Sequence, residues 1–243
     1  MKIGDIYKLI AWNIINPLLL VMKKNKIYKA DGYTGINLGC GLDNSQNWLG
    51  LDGGITLYFI YKIPSFFAKP LFKFFKMSNI YTFEDYIRKA KSLNLIHYEL
   101  LYGIPFKNDS VPNIYSSNFL EHLFFEESKK LLKECYRVLK PNGRIRIVVP
   151  SLDLEVIKMK KAIIEYENGN YEQIQKYVTC DIVGYQDKYS NHKYMYNFII
   201  LKNILEFFGF KNVIEYKFRE GEIPDVKLLD TRKECIFVEA IKA

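Results

Sequence analysis

The chain has 243 residues, 49% of them hydrophobic, which is enough for a sizeable buried core and too apolar for a disordered chain. Its 35 Lys and Arg against 27 Asp and Glu give a formal net charge of +8. That charge fits either an anionic partner (nucleic acid, an acidic saccharide, a membrane surface) or a plain bias toward Ile, Lys, Asn and Tyr. Cys40, Cys135, Cys180 and Cys235 are far apart and form no C-x-x-C pair, so the spacing suggests neither a zinc site nor a disulfide framework and suits a reducing cytosol.

Residues 1–33 read as a helical preface and cap. Ile6, Leu9, Ile10, Ile14 and Leu18 fall near the helical period, and Pro17 limits its continuation. The apolar run Ile10 to Met22 contains Asn13, Asn16 and Pro17 and lacks a small-residue cleavage site, so it is expected to be neither a bilayer span nor a signal.

A first strand should end at Leu38 and turn through Gly39-Cys40-Gly41, because two glycines flanking one residue let the backbone bend sharply beside a ligand. Trp48 to Leu51 is a second apolar run, and Asp52 ends it where an acid commonly holds ribose hydroxyls. In the dinucleotide fingerprint the acid lies about 20 residues beyond the glycines. Here it comes eleven after Gly41, and Asp43 replaces the third glycine, which argues against a dehydrogenase.

Residues 55–94 fit no sheet position. Between Ile55 and Met77 aromatics alternate with lysines and are interrupted by Pro64 and Pro70. Such a segment is either a lid or membrane-surface element, or a helical insertion whose aromatics complete the core. The alternation then resumes. Leu93 to Leu101 reads as a strand, Asn113 to Ser117 as another, and Glu126 to Leu139 as an amphipathic helix stopped by Lys140-Pro141-Asn142-Gly143. A strand over Arg144 to Val149, a mostly helical 152–179, a polar aromatic stretch from Tyr185 to Tyr196, a helix over Phe198 to Phe208 and strands at Val213 to Phe218 and Cys235 to Ile241 complete the chain. The expectation is one α/β domain over 1–243, Rossmann-like and doubly wound, with a mostly parallel sheet and one antiparallel strand near the C-terminus.

Several segments together resemble the class I S-adenosylmethionine-dependent methyltransferases, and most of all the small methyltransferase-domain proteins often found among surface-polysaccharide genes. They are Asn37 to Gly41, Trp48 to Asp52, Gly103-Ile104-Pro105-Phe106 with Asp109-Ser110, Ser116 to His122, Cys135 to Gly143 and Asn191 to Tyr196. Each is weak alone, but they occur in the family's order over most of the chain. The resemblance implies S-adenosylmethionine as cofactor. Leu38, Gly39, Cys40 and Gly41 would cradle its methionine and ribose, with Cys40 a small filler and not a nucleophile. Asp52 would accept from the ribose hydroxyls, Glu99 or Leu100 would meet the adenine, and Ser117 and Asn118 would lie beside the sulfonium. Where the family usually starts the glycine motif with an acid, this chain has Asn37.

The catalytic candidates are His192, His122 and Tyr194. A histidine suits proton acceptance from a hydroxyl because its ordinary pKa lies near neutrality, and alignment carries most of a methyl transfer. Each of the two histidines could equally be structural, and His97, in a strand, is expected to be structural. The favoured function is O- or N-methylation of a small-molecule or saccharide acceptor by a cytoplasmic protein. The alternatives are nucleic-acid methylation and a non-catalytic protein of the same fold at the inner membrane face, touching it through residues 55–77. Against the nucleic-acid alternative, the turn after the fourth strand lacks the Asn/Asp-Pro-Pro-aromatic pattern of base-amine methylation.

Overall fold

The computed structural model describes residues 10–62, 64, 69, 72, 82–170 and 192–243. Strands β1 (Gly35–Leu38), β2 (Trp48–Asp52), β3 (Asn94–His97), β4 (Val111–Ser117), β5 (Leu139–Pro150), β6 (Phe210–Tyr216) and β7 (Cys235–Lys242) make a seven-stranded sheet in the order β3-β2-β1-β4-β5-β7-β6. Between them lie α1 (Asn16–Val21), α2 (Ile55–Lys62), α3 (Phe83–Ser92), α4 (Phe125–Val138), α5 (Leu152–Glu167), α6 (Phe198–Phe207) and the short α7 (Val226–Leu229). β1 pairs with β2 and β2 with β3 in parallel, whereas β7 runs antiparallel to both β5 and β6. This is the mostly parallel sheet with an antiparallel strand near the C-terminus that the sequence leads one to expect. The chain falls into two compact units, Met1–Tyr115 with Arg137–Gly143 and Ser116–Tyr136 with Arg144–Ala243.

In the first unit every residue of β1 is buried, as a strand covered on both faces requires. Gly35 could be no other residue there, since a Cβ would stand 2.4 Å from the Asn113 carbonyl oxygen and 2.6 Å from the Trp48 ring. Helices α2 and α3 meet around a buried cluster of Leu57, Phe72, Tyr86, Ala90 and Leu93. The Phe72 ring packs edge-on against Phe83 at 5.5 Å and Tyr86 at 5.3 Å, so this member of the aromatic insertion belongs to the core. Phe66, Phe67, Phe74 and Phe75 lie outside the described residues, as do Ile6 and Leu9 of the preface.

Four local expectations are corrected. Pro17 does not end the N-terminal helix but opens α1, directly after a π turn at Ala11–Ile15, because the first helical turn needs no proline N–H. β3 ends at His97 and not at Leu101, since the Glu99 carboxylate accepts from the Leu101 N–H and starts a 3-10 turn, Leu100–Tyr102, that closes on Gly103 at φ 99°. Strand structure begins directly after α4, at Leu139, and β6 begins at Phe210, ahead of Val213.

The second unit has its core where β5 and β7 pair from Arg144 to Pro150, bringing Ile145, Ile147, Val148 and Val149 together with Phe237, Val238 and Ala240. Arg146 is fully buried there. Its guanidinium donates to Asp230 at 3.1 and 2.6 Å and to Glu239 at 2.8 Å, and all three side chains are sealed from water. Such a cluster is tolerable only when each charge is paired, and further donors come from the backbone N–H groups of Arg219, Glu222 and Ile223 and from Arg144, 3.4 Å from Glu239. Among the described residues no helix is long and apolar enough to cross a membrane.

Candidate active site

The cradle in the first unit is built by two left-handed glycines and one carboxylate. Past β1, Gly39 and Gly41 adopt φ 64° and 49°, a region that other residues enter at a cost. The N–H groups of Gly39 and Cys40 both donate to the Leu51 carbonyl, so the turn is stitched to β2. Asp52, at the carboxyl end of β2, accepts from the Gly41 N–H through Oδ2 at 3.0 Å and from the Gly54 N–H through Oδ1 at 2.7 Å. Burial pushes its pKa up, and these two N–H bonds work against that push. A Cβ on Gly54 would stand 2.7 Å from Oδ1, so that glycine makes room for the carboxylate, whereas a Cβ on Gly41 would meet nothing within 4 Å.

Asn37, standing where an acid is usual, shapes this loop from below. Its amide donates to the Asp43 carbonyl at 2.8 Å and to Asn44 Oδ1 at 3.2 Å. The buried Cys40 side chain fits because β2 carries Gly50 opposite, where a Cβ would lie 2.6 Å from Sγ. Burial drives the Cys40 thiol far above its usual range, so it is poorly suited to act as a nucleophile.

The far end of β2 is pinned by His97, a buried residue of β3. Its Nε2 lies 2.9 Å from Asn16 Oδ1 and its Nδ1 2.9 Å from Lys23 Nζ, while its ring stacks on Tyr58 at 4.3 Å. Asn16 also donates to the Gly53 carbonyl at 3.0 Å, so the preface is tied to the turn just beyond Asp52. A lysine at Nδ1 assigns the neutral ring with its hydrogen on Nε2. Burial, then Lys23, lowers His97 to about 4, and burial brings Lys23 down to about 8. His97 is therefore structural, as expected.

In the second unit Asn118 follows β4 at φ 50°, its N–H bonded to the Val148 carbonyl and its amide donating to Ser117 Oγ at 2.9 Å. The next turn, Leu120–His122, receives the segment that returns from residue 192. The Glu121 carbonyl accepts from the N–H groups of Lys193 at 2.7 Å and Tyr194 at 3.2 Å. Farther along, Tyr196 is buried and donates its hydroxyl to Ser128 Oγ at 2.8 Å. The His122 and His192 rings consequently stand 5.2 Å apart, and Tyr194 packs on Phe125 at 4.6 Å and Tyr196 at 5.0 Å.

Glu121 itself is only 1% exposed, and neither carboxylate oxygen has a hydrogen-bond partner among the described residues. Burial pushes it up to about 7, opposed by the Arg232 charge, and burial also lowers His192. One donor atom from each of Glu121, His122 and His192 lies within 4.8 Å of the others.

The methyltransferase-domain family matches residues 79–147, which is 69 of the 243 residues, running from before α3 into β5. The sheet order and the cradle agree with that match. Over those residues the chain matches a methyltransferase domain. The cradle fits the cofactor, with open space beside a left-handed glycine and a carboxylate held at its rim. The chain is similar to several solved structures. A SAM-dependent methyltransferase from Archaeoglobus fulgidus is 16% identical with a TM-score of 0.47, over 97% of this chain and 99% of that one. The PH0226 protein from Pyrococcus horikoshii is 14% identical with a TM-score of 0.46, over 98% and 91%. Phosphoethanolamine N-methyltransferase 2 from Haemonchus contortus, solved with S-adenosylhomocysteine, is 16% identical with a TM-score of 0.44, over 93% and 52%. At that similarity they add nothing to the sheet and the family match. No curated protein matches the sequence.

Gly39, Cys40, Gly41 and Asp52 thus come together in the first unit, and Ser117 with Asn118, and His122 with His192 and Tyr194, in the second. Leu100 is buried, whereas Glu99 is partly exposed and is the one of that pair with a side chain open to a ligand. Sequence reasoning placed Glu121 only in the motif, not in the site, and did not single out Gly54. The adjacency of Glu121 and His122 was the available signal for the first, and the Gly53-Gly54 pair after Asp52 for the second.

Proposed function

We propose that this chain is a class I S-adenosylmethionine-dependent methyltransferase that acts on a hydroxyl or amine of a small-molecule or saccharide acceptor. The observation that carries the reading is the Asp52 carboxylate, held in place by the Gly41 and Gly54 N–H groups at the end of a parallel strand. Each of its oxygens keeps a lone pair beyond the backbone bond, so it can accept from the ribose hydroxyls without giving up its own support. Leu38, Gly39, Cys40 and Gly41 line the methionine and ribose side, Glu99 meets the adenine, and Ser117 and Asn118 serve the sulfonium end. The bound cofactor supplies an electrophilic methyl group. His122, His192 and Tyr194 hold the acceptor. The turn Ser117-Asn118-Phe119-Leu120 supports a non-nucleic-acid acceptor, because it lacks the Asn/Asp-Pro-Pro-aromatic pattern.

The test is calorimetric titration with S-adenosylhomocysteine, followed by transfer of labelled methyl groups to fractionated cell extract and saccharide acceptors. Binding that is lost in Asp52→Ala, with label entering a small-molecule or saccharide fraction, supports the reading. Absence of cofactor binding refutes it, and label entering only nucleic acid refutes the acceptor class.

A further inference from the structure

We propose that Glu121, His122 and His192 form a binding site for a first-row transition dication, zinc by its donor set, with an open coordination position for an oxygen atom of the methyl acceptor. Three observations carry this. The first is donor chemistry. Two imidazole nitrogens and one carboxylate oxygen lie within 4.8 Å of one another. Two histidines and one glutamate are a ligand set of catalytic zinc sites, which keep a fourth position for water or substrate.

The second is the carboxylate. Glu121 is 1% exposed and neither of its oxygens has a hydrogen-bond partner among the described residues. A buried carboxylate in that condition is costly unless it is paired or coordinates a cation. The third is how the donors are delivered. Glu121 and His122 are consecutive in one 3-10 turn, and the residues just after His192 are hydrogen-bonded to the Glu121 carbonyl. The same backbone contact that orders the turn therefore sets His192 beside it. The third histidine of the chain, His97, is held by Asn16 and Lys23 and belongs to the pin described above.

Coordination at about 2.0–2.1 Å brings tetrahedral donors to roughly 3.3 Å from one another, so the site closes somewhat as it fills. The adjustment falls to the imidazoles, since His122 is partly exposed and His192 exposed, whereas Glu121 is fixed by burial. Of the neighbouring charges, Glu155 favours a cation at His192, while Arg232 opposes one at both His192 and Glu121. The cation site stands on the cluster alone. Assigning its open position to the acceptor rests on the methyl-transfer reading, and in that role the two imidazoles act on the acceptor through the cation and not as bases.

The experiment uses the full chain, purified without a histidine tag and stripped with a chelator. Zinc affinity is measured by competition with a chromophoric chelator, and cobalt substitution is followed by visible absorption. The expected result is about one zinc per chain with a Kd below about 1 µM, a low-coordination cobalt spectrum, and an affinity lowered at least about tenfold in both His192→Ala and Glu121→Gln. His192→Ala alters an exposed side chain, so it reports on the site even if Glu121→Gln fails to fold. A zinc Kd weaker than about 100 µM, or wild-type affinity in the variants, overturns the site. S-adenosylhomocysteine is titrated into the same metal-free protein. Cofactor binding without zinc binding sinks the metal site alone, and zinc binding without cofactor binding sinks the methyl-transfer reading alone. Turnover unchanged by removing zinc sinks the acceptor role.

Discussion

Replacing Asp52 by Asn separates the two jobs that its carboxylate performs. Asp52 takes one backbone N–H on each oxygen, at 3.0 Å from Gly41 and 2.7 Å from Gly54. An amide of the same shape has one acceptor oxygen, so its NH2 must face the other N–H. A hydrogen bond to a charged group, about 1.5–3 kcal/mol, is lost, and the stranded N–H adds a cost within about 1–3 kcal/mol. The amide escapes the desolvation that raises the Asp52 pKa, which returns part of that loss. A net destabilisation of about 2 kcal/mol follows, equivalent in a chain of this length to a fall in Tm of about 4–8 °C. Thermal unfolding by circular dichroism measures it, and calorimetry with S-adenosylhomocysteine should show an affinity lower by at least about tenfold, or 1.4 kcal/mol. A Tm within about 1 °C of wild type would refute the assignment of the two N–H bonds. A normal Tm fall with affinity kept within about threefold would show that the carboxylate serves the turn and not the ribose.

Three further outcomes follow from the same structure. Because His97 is lowered from its ordinary 6.5 to about 4, the neutral ring belongs to the fold, and the stability it contributes is present above pH 6.5 and lost as pH falls from 6.5 toward 4. After allowance for solvent screening the loss is about 1–2 kcal/mol, and urea midpoints at pH 7 and pH 4.5 should fall less in His97→Gln; parallel curves would show that another group is titrating. Arg146→Met takes the buried guanidinium away from Asp230 and Glu239, leaving Glu239 the longer contact to Arg144, and should cost about 3–5 kcal/mol, read as a much lower urea midpoint, with near-normal stability counting against the cluster. Tyr196→Phe removes the bond to Ser128 and should cost about 1 kcal/mol, with a shift below the error of the unfolding curve telling against that bond.

The cradle was legible because its parts are local. Gly39, Gly41 and Asp52 lie within one β-turn-β unit, and their residue types alone restrict what the backbone can do. The Glu99 and Leu100 ambiguity arose because a strand pattern continues through Leu101, whereas a side-chain cap that no periodicity reveals bends the chain at Glu99. The aromatic insertion was ambiguous for a different reason. Phe72 has the same neighbours in sequence whether it faces lipid or, as found, Phe83 and Tyr86. Glu121 could not be read as a buried carboxylate, because what buries it includes a segment returning some seventy residues later, at Lys193 and Tyr194.

Cys40 gives the cradle an internal gauge. Its thiol is sealed against Gly50 and too weakly acidic to react while the turn is shut, so a disulfide reagent can reach it only when β1 and β2 separate. The labelling rate of that one sulfur therefore counts opening events of the turn that carries Gly41, with Cys235, only partly buried, expected to label first. A ligand that occupies the cradle should slow the reaction of Cys40 by a factor of one plus the ratio of its free concentration to its Kd.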